Sequence, residues 1–139
     1  MENEIKKYLE SYDFLIFTLI FGSYASQTAG SKSDLDIGIY SNESLDLLLL
    51  GRMITDLEKI TNLKIDLIEL KDIYKKSPNL AYQIVKNHKL LFLKNEDVYF
   101  EFKRRSFLYY FDTEKLRESV RSALYKRISS KKFGKRNYA

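Results

Sequence analysis

The chain contains no cysteine and only one histidine, His88. The first absence excludes disulfides and thiolate metal sites, and the second excludes a histidine-rich metal centre or a catalytic histidine pair. Proline is nearly absent as well. Pro78 stands alone, and because its ring suits only the first turn of a helix, the helical pattern Ile73–Lys86 must break there into two pieces. The apolar run Phe14–Phe21 is too short to span a bilayer. The opening MENEIKKYLESYD is charged and shows no secretory signal, so the expectation is a cytoplasmic protein with no membrane association. Neither an internal repeat nor a low-complexity linker is present, and 139 residues suit one domain with a real core.

The net charge of +5 is concentrated at one end. Lys126, Arg127, Lys131, Lys132, Lys135 and Arg136 follow one another with no acid between them, and the rest of the chain is close to neutral. The basic stretch is therefore an appendage, either a solvated end or a contact for nucleic acid.

Hydrophobic periodicity lays out alternating elements. Glu2–Ser11 reads as a short amphipathic helix, with Ile5, Tyr8 and Leu9 on one side. Asp13–Phe21 has the unbroken apolar pattern of a strand buried on both faces. Tyr24–Gln27 reads as about a turn of helix, and Asp34–Tyr40 as a second strand. Ser41–Ser44 looks like a helix start, with the helix over Leu45–Ile60 and its end at Asn62. Lys64–Leu70 is the third strand. Asn87-His88 turns the chain into Leu90–Leu93, a fourth and edge strand. From Glu96 to about Ile128 the pattern is helical, with Asp112-Thr113 placed to cap a new helix. The expected fold class is α/β, a mixed sheet flanked by helices with a C-terminal helical extension. Residues 1–94 form its core, 95–128 the helices packed on it, and 129–139 the basic tail.

One stretch carries chemistry: FGSYASQTAGSKSDLDIGIY, from Phe21 to Tyr40. Asp34 and Asp36, one residue apart on a strand, share a face because side chains alternate with period two. Like charges held that close resist joint ionisation unless a cation lies between them. Hard oxygen ligands at this density suit Mg²⁺, which takes one or two carboxylates and completes its shell with substrate phosphates. Gly22 ends an apolar strand, Ser23 is placed to cap a helical turn, and exposed amides at such a turn can receive an anion.

Gly22-Ser23, ten residues, then Asp34-Leu35-Asp36 resembles the signature of the nucleotidyltransferases of the DNA polymerase beta superfamily. The short chain is similar to the minimal nucleotidyltransferases, among them the MntA-type antitoxins encoded beside HEPN-domain toxins. The resemblance covers about the first two-thirds of the chain. It implies a polymerase beta-like nucleotidyltransferase fold and a third carboxylate on a neighbouring strand, where Asp66 stands. It also implies two Mg²⁺ ions held by Asp34, Asp36 and Asp66, with Asp66 on the ion nearer the attacking hydroxyl, and ATP as substrate with its phosphates at Gly22 and Ser23. Its activity would be transfer of AMP to a tyrosine of a cognate HEPN ribonuclease toxin. Many relatives carry arginine and glycine where this chain has Ser26 and Gln27, a departure that bears on nucleotide affinity more than on the chemistry. Lys32 is the nearby cation. Glu69, on the opposite face of its strand, has a structural role.

Two rivals accompany this reading. A small-molecule nucleotidyltransferase of the aminoglycoside-modifying kind usually has a larger second domain, and little of this chain follows Leu93. A non-catalytic antitoxin would act by contact alone, through the aromatic run Val98–Phe111. Tyr99, Phe100, Phe102, Phe107, Tyr109, Tyr110 and Phe111 occupy more than one helical face, so part of them suits a partner rather than the sheet. Tyr24 is placed either to stack on a base or to pack.

Overall fold

The computed structural model describes residues 1–25 and 34–129; of residues 114–117 and 119–129 it describes the backbone only. Its elements are α1 (Glu2–Glu10), β1 (Leu15–Phe21), a 3-10 turn (Gly22–Tyr24), β2 (Leu35–Ser41), α2 (Leu47–Thr61), β3 (Ile65–Glu69), α3 (Ile73–Lys76), α4 (Pro78–Lys86), β4 (His88–Leu93) and α5 (Glu96–Ser129). The four strands form one sheet in the order β3-β2-β1-β4. β1 runs antiparallel to both its neighbours, whereas β2 and β3 are parallel. A parallel pair needs a crossover of a dozen or more residues, and α2 supplies it. The sheet is therefore mixed, as the sequence implies.

The two faces of the sheet divide the core. On one face Leu35, Ile37 and Ile39 of β2 pack with Ile5 and Leu9 of α1 and Met53 and Leu57 of α2. On the other, Phe17 and Leu19 of β1 pack with Ala81 and Ile84 of α4 and Phe102 of α5. Each fully buried side chain of this size contributes about 1.5–3 kcal/mol relative to exposure. Gly38 lies on the second face, where an added Cβ would come within 2.8 Å of Leu70 Cδ2 and 3.0 Å of Leu19 Cδ1. Its bare backbone lets Leu70 close over the sheet. No helix among the described residues is long and apolar enough to cross a membrane.

Several boundaries differ from the sequence reading for identifiable reasons. The cap of α2 is Asp46 rather than the Ser41–Ser44 stretch: the Leu49 amide donates to Asp46 Oδ1 at 2.7 Å. Ser41 instead closes a local turn, accepting from the Glu43 amide at 3.0 Å. Asn62 ends α2 as expected, in the left-handed region at φ 58. Pro78 does open a helix, separating α3 from α4. Asp112-Thr113 caps nothing, because α5 runs through it. Thr113 Oγ1 donates back to the Tyr109 carbonyl at 2.9 Å, which is how a mid-helix threonine satisfies its hydroxyl without breaking the ladder.

α5 settles most of the aromatic run. Phe102 is buried, and Phe17 gathers Tyr40, Tyr99 and Phe102 around it with ring centroids 4.9, 5.1 and 5.5 Å away. Farther along, Tyr110 stacks on Tyr82 of α4 at 4.0 Å. A second stripe of α5 stays outside: Phe100, Leu108 and Phe111 are 60%, 51% and 50% exposed. The prediction of more aromatic faces than the sheet can cover thus holds for that stripe and for Tyr109, which is also exposed.

His88 is not a turn residue; it begins β4 and ties three elements together. Its Nδ1 lies 2.8 Å from the Ile84 carbonyl and 3.2 Å from that of Val85. Carbonyls only accept, so Nδ1 carries the proton and Nε2 accepts from the Tyr99 hydroxyl at 2.7 Å. Burial pushes the imidazole below its ordinary value of 6.5; the two carbonyls act against this, and Lys103 adds to it. Between the folded value and 6.5 the unfolded chain binds more protons, so this stability is complete above 6.5 and is lost as pH falls through the folded value. His88→Gln should accordingly melt below wild type at pH 7.5, with the gap closing toward pH 5. Melting curves that stay a constant distance apart would show that His88 does not titrate in this way.

Candidate active site

Three strand ends build the site. The antiparallel register sets Phe21 opposite Asp36, and the parallel register sets Asp36 opposite Asp66. Asp36 and Asp66 therefore lie side by side on the sheet face that α4 covers, at the end of β1 where the chain turns out through Gly22. The Asp36 carboxyl is raised from its ordinary value. Loss of hydration is the largest cause, followed by the Asp66 charge, a hydrogen bond with Asp66, and last the Asp34 charge. Asp34 stands one residue before β2 and is exposed. The structure thus brings Asp36 and Asp66 into contact and holds Asp34 at the margin.

Gly22 is the third part. It has φ +74, a left-handed conformation that side chains rarely adopt, and a Cβ there would stand 3.2 Å from Asp36 Cγ and closer still to its Oδ2. The turn backbone thus rests directly on the carboxylate. Ser23 lies inside the 3-10 turn, whose N-cap is Phe21; it does not occupy the cap position that the sequence suggests. Tyr24 packs half-buried against the core. Ser26, Gln27, Lys32 and the tail from residue 130 onward lie outside the described residues.

A cleft of ≈ 530 Å³ opens over these groups. Gly22, Asp36 and Asp66 line one side, Phe21 and Ile68 the floor, and Leu80 and Gln83 of α4 the far side, with Asn87 just past the end of that helix. Sequence reasoning missed the α4 contribution. Leu80 and Gln83 share one helical face and Asn87 follows the last turn in an extended conformation, but nothing in the sequence says that these residues look toward Asp36.

The donor set suits a hard cation. Two carboxylates whose charges are close enough to disfavour ionisation leave a place for one positive charge, and one or two carboxylates are what Mg²⁺ takes from a protein. Among the described residues there is no group of three or more His, Cys, Asp or Glu side chains that could hold a metal ion. Asp36 and Asp66 are the residues that fit, with phosphate oxygens left to complete the shell.

Comparison with known proteins agrees with this geometry. The family model described as polymerase beta, nucleotidyltransferase matches residues 3–97. A search of curated proteins finds no match. Among solved structures, one chain of a mutant MntA–HpeT toxin–antitoxin complex is similar with a TM-score of 0.76 at 23% identity, over 89% of this chain and 98% of that one. A toxin–antitoxin structure with AMP-PNP gives 0.61 at 24% identity, over 93% and 96%. A complex of a tri-AMPylated Shewanella oneidensis HEPN toxin with its MNT antitoxin gives 0.67 at 19% identity, over 89% and 98%. At these identities the structures establish the fold. The family match runs over more than half of the chain and takes in Gly22, Asp34, Asp36 and Asp66, and on it the protein belongs to the polymerase beta nucleotidyltransferase family.

Proposed function

We propose that this protein is a Mg²⁺-dependent antitoxin enzyme that moves AMP from ATP to a tyrosine hydroxyl of a HEPN ribonuclease toxin. The observation that carries the reading is the Asp36–Asp66 pair at the foot of a cleft roofed by α4, with the Gly22 turn resting on it. The similar structures, one with AMP-PNP and one with an AMPylated HEPN toxin, support the nucleotide and the partner.

In this reading the catalytic and metal-binding residues are Asp34, Asp36 and Asp66. Asp36 and Asp66 would hold the cation, and Asp34, at the margin of the site, would assist them. When bound, Mg²⁺ neutralises phosphate charge and polarises the phosphoryl group, and a pair of ions does so for both attacking and leaving oxygens. Gly22 and Ser23 receive the triphosphate at the turn, where backbone amides and the hydroxyl are placed for an anion. Asp66 takes the proton of the acceptor hydroxyl. The acceptor oxygen then bonds to the α-phosphorus as the bond to the β-phosphate bridge breaks, and pyrophosphate leaves. Residues 1–94 form this catalytic unit and 95–128 the partner-facing part, and the protein acts in the cytoplasm, where ATP is available. AMP on a tyrosine adds charge and bulk next to a site that must bind anionic RNA, and that silences the ribonuclease.

The outer stripe of α5 is the surface that docks the partner. Aromatic residues and arginine are enriched at interfaces, and this stripe carries Phe100 and Phe111 beside Leu108, with Arg104, paired with Glu101 at 3.0 and 2.9 Å, among them. The same stripe would serve an antitoxin that only blocks, so stoichiometry separates the two. An enzyme needs the contact briefly: substoichiometric protein with ATP should silence the partner and add whole AMP units to its intact mass. An unmodified partner, inhibited only at one-to-one amounts, would refute the transferase reading.

A further inference from the structure

The cleft has two chemically different sides, and only one is accounted for by the transfer step. The strand side is anionic, with Asp36 and Asp66 beside the Gly22 turn. The α4 side is neutral: Gln83, in the last turn of the helix, and Asn87, which ends it and bonds its backbone amide to the Gln83 carbonyl, are exposed and make no side-chain hydrogen bond among the described residues. Among the described residues no Lys or Arg lines the cleft, so its α4 side has no charge for a phosphate. It has no carboxylate for an amine either. The walls between the two sides are apolar, from Phe21, Ile68 and Leu80.

A flat, neutral group with hydrogen-bonding edges fits such a slot. We propose that Gln83 and Asn87 are the base-reading residues of the cleft and select adenine. This assignment rests on the transferase reading above and adds a specificity determinant to it. A carboxamide sets an N–H donor beside a C=O acceptor. Adenine's N7 and 6-amino group present the matching acceptor and donor, whereas the corresponding edge of guanine presents two acceptors and leaves the carbonyl without a partner. The apolar walls cover the faces of the base, and the amides take its edge. The triphosphate is then directed away from α4, toward the Gly22 turn.

Both side chains are exposed, Gln83 on α4 and Asn87 just past its end, so substitution leaves the fold in place, and circular dichroism checks this. The full chain and its Gln83→Leu, Asn87→Leu and double variants are titrated by calorimetry with Mg²⁺ and ATP, GTP or inorganic tripolyphosphate. The expected result is a loss of ATP affinity on the order of tenfold in the double variant, an ATP-to-GTP ratio falling toward one, and unchanged tripolyphosphate binding. An unchanged ratio in the double variant overturns the proposal. So does a wild-type protein that binds tripolyphosphate and ATP equally well, since the base would then contribute nothing. A change confined to the Michaelis constant of the protein acceptor would place the amides on the acceptor and also overturn it. Wild-type protein that binds neither ATP nor tripolyphosphate would instead bring down the transferase reading itself.

Discussion

Asp36→Asn should abolish nucleotidyl transfer and, in the metal-free protein, raise the melting temperature. The first effect follows from removing one of the carboxylates that would hold the proposed cation. A loss of roughly a thousandfold or more corresponds to about 4 kcal/mol of transition-state stabilisation, the several kcal/mol that metal-assisted charge neutralisation supplies. The second follows from repulsion. The Asp36 carboxyl is raised above its ordinary value of 3.8 by burial first and by Asp66 next. Between 3.8 and the folded value the folded chain binds more protons than the unfolded one, so stability falls as pH rises through that window and the deficit persists above it. Asparagine carries no charge at any pH. In EDTA at pH 7 the variant should therefore melt above wild type, and the two should converge as pH drops below the aspartate range. Undiminished transfer, or a variant that melts lower at pH 7, would mean that Asp36 and Asp66 do not act as a strained, cation-seeking pair.

Gly22→Val should be nearly as damaging to transfer, for a different reason. A side chain at φ +74 costs about 1–3 kcal/mol in backbone strain, and its Cβ would press on the Asp36 carboxylate. The carboxylate then has to leave its place beside Asp66, or the turn has to lift away from it. Either movement removes the alignment of turn and acid. Gly22→Ala separates bulk from position, because its Cβ meets the same atoms. Both variants should lose most of their transfer activity and ATP affinity, and both should melt below wild type, unlike Asp36→Asn. Wild-type ATP affinity in Gly22→Ala would show that the turn tolerates a Cβ, and the close approach to Asp36 would lose its functional meaning.

The reading from residues succeeded where a short-range rule decides the outcome. β1 was legible as a central strand because seven successive residues, Leu15–Phe21, are apolar enough to be buried on both faces. Pro78 and Asn62 were legible as helix boundaries because each has a local backbone reason to be there. The reading failed where two local signals competed. Ser41–Ser44 and Asp46 both offer caps; Ser41 is taken up by a local turn with Glu43, and the Leu49 amide donates to Asp46 instead. Asp112-Thr113 looks like a cap, yet Thr113 can equally bond back to Tyr109, so propensity left the matter open.

What the sequence alone determined is the chemical inventory and its local order: Gly-Ser after a buried strand, Asp34 at the start of the next with Asp36 on it, Asp66 on a third. Alternation along a strand is a local property, so it already places Asp36 on one face and Leu35 and Ile37 on the other. What only the tertiary structure decided is which of these groups meet. The parallel register of β2 and β3 sets Asp36 against Asp66 and leaves Asp34 at the margin, and the turn at Gly22 lies on the Asp36 carboxylate. The packing of α4 over that same face closes the cleft with Gln83 and Asn87. Registers and helix placements depend on the summed burial of both sheet faces, a long-range quantity that no window of sequence contains.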